Sequence, residues 1–150
     1  MEEFDTIEKV EKLFKEKGVN AKEGITVALL KDYRKYSGMV QGMEHPYDGL
    51  LLNISDEGIA YFYLKSSKIS LTIKMDKLSL VKDSYTFIKK EDIKSIELKK
   101  FALLDKKRKE LIIKTTEKKR PYFVYGSLED TLLPYNTEGM SKLIEKYSAK

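Results

Sequence analysis

The 150-residue chain has no cysteine, a single histidine, three arginines and no long apolar run. The missing thiols exclude disulfides, thiolate nucleophiles, zinc fingers and iron–sulfur ligation, and they fit a reducing compartment. His45 stands alone before Pro46 and Tyr47. With no second imidazole or thiolate it makes no metal site, and no Ser-His-Asp constellation can be drawn. No stretch reaches the roughly 18 to 20 apolar residues a membrane span needs. The N-terminus, Met1-Glu2-Glu3-Phe4-Asp5, lacks both the basic and the apolar region of a secretory signal. The expected location is cytoplasmic, with any membrane contact peripheral.

Phosphate loops are missing too. The eight glycines are scattered, and none falls into a G-x-x-x-x-G-K-S/T or G-x-G-x-x-G pattern. The carboxylate pairs Glu91-Asp92 and Glu129-Asp130 lie in expected turns, where acids serve solubility and capping rather than proton transfer. No catalytic residue, metal or cofactor is expected, so the chain reads as a binding module and not an enzyme.

What is present suffices for one core. Hydrophobic residues make up 41% of the chain and aromatics 11%, which suits a single domain of this length. Charged residues reach 35%, but 29 basic against 24 acidic side chains leave a net charge of only +5. All but three of those cations are lysine, the ordinary residue of a solvated surface. Arginine would supply the planar fork that reads nucleic acid.

The apolar positions Phe4, Ile7, Val10, Leu13 and Phe14 predict an amphipathic helix, with Asp5 and Glu8 as a capping pair and Gly18 as its stop. Ile25, Leu29, Leu30, Tyr33 and Tyr36 fit a second helix ending near Gly38. From Gly49 the pattern becomes short strands. Residues 50–54 and 59–64 flank Ser55-Asp56-Glu57-Gly58 as a hairpin. Ile69, Leu71 and Ile73, then Leu78 and Leu80, residues 85–88, residues 93–98, residues 111–113 and residues 122–125 follow. Thr137 is the expected cap of a last helix carrying Met140, Leu143, Ile144 and Tyr147 on one stripe. The fold class is mainly β with flanking helices: residues 1–48 as an N-terminal helical extension, residues 49–150 as the β domain.

One motif sharpens this. Residues 86–98, TFIKKEDIKSIEL, resemble the strand, turn and strand of bacterial pleckstrin-homology-like and GRAM-like domains. Residues 48–62, DGLLLNISDEGIAYF, resemble the opening hairpin of that family, and residues 110–125 its late hairpin. The resemblance implies a PH-like bent antiparallel barrel capped by a C-terminal helix, on a scaffold that serves lipid, peptide and protein binding.

The charge is unevenly spread. Residues 99–120 hold ten basic and three acidic side chains, a local net of +7, so the remainder of the chain sums to −2. Lys99, Lys100, Phe101, Lys106, Lys107, Arg108, Lys109, Lys118, Lys119 and Arg120 are the candidate ligand-binding residues. Phe101-Ala102-Leu103-Leu104 precede Asp105 to Lys109 in what reads as a loop, and an anionic membrane surface favours apolar and cationic groups side by side. An acidic protein partner, or homo-oligomerisation through a sheet edge or the N-terminal helix, is the alternative. Tyr122, Phe123 and Tyr125 lie in the adjacent strand, where aromatics are at home for packing alone; this argues against nucleic acid.

Overall fold

The structure, a computed structural model, describes residues 2–20, 24–30, 49–66, 78–102, 105–116, 122–127 and 134–147. Eight strands form one antiparallel sheet: β1 (Gly24–Leu30), β2 (Gly49–Ser55), β3 (Gly58–Ser66), β4 (Leu78–Leu80), β5 (Thr86–Lys89), β6 (Ile93–Ala102), β7 (Asp105–Thr115) and β8 (Tyr122–Ser127). Helix α1 (Ile7–Lys15) precedes them, after a short 3-10 turn at Glu2–Phe4, and helix α2 (Pro134–Tyr147) follows.

The spatial order is β4-β3-β2-β1-β8-β7-β6, with β5 also paired to β3. A hydroxyl manages the change of partner along β3. Ser84 Oγ accepts from Tyr63 N at 2.8 Å and donates to Val81 O at 2.6 Å, bridging the turn between β4 and β5. A 3-10 turn, Lys90–Asp92, then carries the chain from β5 to β6, which belong to opposite ends of the strand order. A three-residue connection can link them only if the sheet curls, and the result is an antiparallel half-barrel.

Two apolar clusters lie on the two faces of this sheet. Leu50, Leu52, Ile54, Ile59 and Tyr61 meet Leu98, Leu111 and Ile113 across the curl, with Met140 and Leu143 of α2 filling the space between. On the other face α1 lays Val10 and Phe14 on Val27, Leu51 and Phe62, joined by Phe4 and Val19. All seven residues of β2 are therefore buried, the pattern of a strand covered on both sides.

The N-terminal helix forms as its spacing predicts, but its cap is Thr6, whose Oγ1 accepts from Lys9 N at 3.3 Å, and not Asp5. Gly18, at φ +83°, turns the chain back so that Val19 N reaches Phe14 O at 2.9 Å and Val19 enters the core. The second helix expected from Ile25 to near Gly38 is corrected where the structure describes it: residues 24–30 are strand β1, bonded to β2 and β8. Alternate residues of GITVALL meet different surroundings, because Ile25 and Val27 join the α1 cluster while Thr26 binds α2. Strand β1, which precedes residue 48, sits in the middle of the sheet. Tyr33, Tyr36 and Gly38, like the predicted strand at residues 69–73, fall outside the described residues.

Helix α2 begins at Pro134, three residues before the expected cap Thr137. Proline is at home in a first turn, having no N–H to leave unsatisfied. The early start places Asn136, fully buried, in the seam where β1 runs beyond its pairing with β8. Its Oδ1 accepts from Val27 N at 2.6 Å and from Thr26 Oγ1, replacing the missing strand partner. Met140, Leu143, Ile144 and Tyr147 pack on the inner cluster as their stripe implies.

Candidate functional site

The candidate residues divide into two groups once the topology is known. Lys99, Lys100 and Phe101 end β6, while Lys106 to Lys109 open β7, so these seven share the closed end of one hairpin. Lys118, Lys119 and Arg120 lie outside the described residues. They follow the far end of β7, where Thr115 pairs with Ile93 beside the 3-10 turn. From Lys109 to Thr115 the strand advances about 20 Å at its usual rise.

The basic segment is also not a loop. Asp105 to Lys109 belong to a strand, and the apolar-to-basic step falls across a hairpin end rather than along a free loop. The register there is irregular. Lys99 pairs with Glu110 and Lys100 with Lys109, and the next pair is Ala102 with Asp105. Between those last two pairs one residue of β6, Phe101, stands opposite three of β7: Lys106, Lys107 and Arg108. Bulges of this kind bend a strand and re-aim its side chains, and they are enriched next to functional sites. This one is made of three cations. Periodicity could not reveal it, because a bulge is a property of two paired strands; the signal in the sequence was only the run of four basic residues.

On its other side β7 keeps a regular ladder, with Arg108 opposite Ser127 and Lys109 opposite Gly126 of β8. The second irregularity of the hairpin lies at its opposite end, between Ile93 and Ser95. There Lys94, an exposed residue, is the extra one.

Elsewhere the described surface offers little chemistry. Cavities of about 220 Å³ and 300 Å³ flank Glu11 and Ile25 where α1, β1 and α2 meet. Their charged rim is solvated, since Glu138 and Lys142 pair at 3.3 Å with both side chains exposed. The Tyr135 hydroxyl is committed to Phe4 O at 2.6 Å. No group of His, Cys, Asp and Glu able to hold a metal occurs among the described residues. Asp92, one of the acids of the 90–92 turn, accepts from Thr116 N at 2.8 Å through its backbone carbonyl. Among the described residues no helix is long and apolar enough to cross a membrane.

Comparison of the chain with protein-family models, curated proteins and solved structures gives no match.

Proposed function

We propose that the chain is a non-enzymatic, intracellular binding module of PH-like fold that attaches peripherally to anionic membrane surfaces through the end of the β6–β7 hairpin. The observation that carries the reading is the register of the hairpin end, where Phe101 alone stands opposite Lys106, Lys107 and Arg108, in a sequence that continues Phe-Ala-Leu-Leu. Each lysine near an anionic leaflet contributes on the order of 1 kcal/mol, and apolar insertion adds to it. The PH-like part is supported by a curled antiparallel meander, by a C-terminal helix packed on its inner cluster, and by the strand–turn–strand geometry of residues 86–98.

Co-sedimentation with phosphatidylglycerol-containing and pure phosphatidylcholine vesicles, at low and physiological salt, tests the reading. Binding to the anionic vesicles that survives physiological salt and is lost when Lys106, Lys107, Arg108 and Lys109 are all changed to Glu is the expected result. Failure of the unaltered protein to sediment with either vesicle would move the assignment to a protein partner.

A further inference from the structure

Strand β5 lies beside β3 and, among the described residues, pairs with nothing on its other side. Two contacts show which of its backbone groups are committed to β3. Lys90 N donates to Glu57 O at 3.2 Å, and a Cβ built on Gly58 would collide with the Ile88 carbonyl oxygen. Along an antiparallel strand the amide and carbonyl groups of successive residues turn to opposite edges. Phe87 and Lys89 therefore turn theirs to the open edge. Phe87 is also the one exposed large apolar side chain among the described residues, at 39%. It stands opposite the small Ala60 of β3, and half-buried Tyr85 and exposed Lys89, two residues away on either side, share its face. An open edge with an apolar side chain is a template for another strand.

We propose that β5 pairs antiparallel with β5 of a second copy of the chain, the two-fold axis passing at Phe87. A contact between identical surfaces has to be self-complementary. In this register Phe87 meets Phe87, Thr86 meets Ile88 and Tyr85 meets Lys89, so no like charges face one another. Centring the pairing on Lys89 would set lysine against lysine, which is destabilising. The outward N–H and C=O of the two Phe87 residues exchange both hydrogen bonds, as a directly opposed antiparallel pair does. A four-residue strand makes a short ladder, which places the dimer among small, transient interfaces. It is independent of the membrane-surface reading, because β5 leads into the start of β6 and the hairpin end lies at the far end of that strand.

Sedimentation velocity and amide hydrogen exchange on the full chain, over a concentration series, provide the test. The mass should rise from 17.4 kDa toward twice that value, over roughly 5 to 500 μM, as suits a small interface. Exchange at the Phe87 and Lys89 amides should slow over the same series, while Ile88, already turned to β3, stays constant. Lys89→Pro separates association from folding. Lys89 sits at φ −64°, the value proline fixes, and its N–H faces away from β3. K89P should melt at or above the temperature of the unaltered protein. Its dimer should dissociate roughly 10-fold more readily, since each dimer loses two donors. F87K, with a like charge at the axis, should stay monomeric throughout. A dimer that survives both variants, or a K89P protein that melts lower, would overturn the pairing. So would an unaltered protein that remains at 17.4 kDa throughout, and that outcome would leave the β5 edge to an extended segment of a different protein.

Discussion

Replacing Gly139 with alanine should destabilise the protein, although in most helices the same change does the opposite. Gly139 lies in α2 against the backbone of β1, where an added Cβ would stand 2.7 Å from the carbonyl carbon of Ile25 and nearer still to its oxygen. Gly24 is its counterpart on the strand, since a Cβ there would meet Leu143 Cδ2 at 2.6 Å. Alanine in a helix interior normally gains about 1 kcal/mol over glycine. A carbonyl fixed in a central strand cannot swing aside, so α2 would have to lift. Overpacking of this kind costs about 1–3 kcal/mol. Lifting also begins to expose Met140 and Leu143, now 2% exposed each, whose full burial contributes about 1.5–3 kcal/mol apiece. Subtracting the helix gain leaves a net loss of about 2–4 kcal/mol. For a domain of this size that lowers the melting temperature by roughly 5–15 °C. Thermal and urea unfolding followed by circular dichroism would measure it. A G139A protein as stable as the parent, or more so, would refute the close helix–strand approach on which the account of the inner core depends.

Two further changes probe the same architecture. Asn136→Ala strips the buried Val27 N–H and the Thr26 hydroxyl of their shared acceptor; at about 1–3 kcal/mol for a buried group left unsatisfied, the loss should be about 2–4 kcal/mol in urea unfolding. Tyr85, packed 5.4 Å from the Phe62 ring, has its pKa raised above the usual 10.0 by burial. A folded-state pKa above the unfolded one means stability is kept below about pH 10 and lost as pH rises through the folded value. Ultraviolet titration at alkaline pH should thus show late phenol ionisation from Tyr85 that Tyr85→Phe removes.

A single covering layer preserves periodicity, whereas β2, buried throughout, was legible from the Ser55-Asp56-Glu57-Gly58 turn that follows it. Met140, Leu143, Ile144 and Tyr147 face one cluster and kept their stripe. Leu78 and Leu80 alternate with exposed Ser79 and read as a strand. Residues 24–30 misled because β1 is covered by α1 on one face and α2 on the other. A doubly covered strand is apolar nearly throughout, and GITVALL then offers helical spacing as readily as strand spacing. Asn136 could not be foreseen for a related reason: its role depends on where β1 outruns β8, a long-range property with no local trace. At the hairpin, composition disclosed the cations but not the register that sets Lys99, Lys100 and Phe101 across from Lys106 to Lys109.

The placement of the cationic bulge also explains how the hairpin end tolerates it. An extra run of residues breaks ladder bonds on the side where it occurs, and here that is the side facing β6. On the side facing β8 the register resumes within the bulge, at Arg108 with Ser127, and continues at Lys109 with Gly126. One intact ladder holds β7 in the sheet while the other yields. The apolar clusters draw on β1 to β3, α1, α2 and the inner part of the hairpin at Leu98, Leu111 and Ile113. The first cross-strand pair beyond them is Lys99 with Glu110, and the like-charged pair comes next. Stability and charge therefore occupy consecutive stretches of the same two strands. The apolar side chains Leu98 and Leu111 thus close the fold just short of the stretch where the charged residues of the hairpin begin.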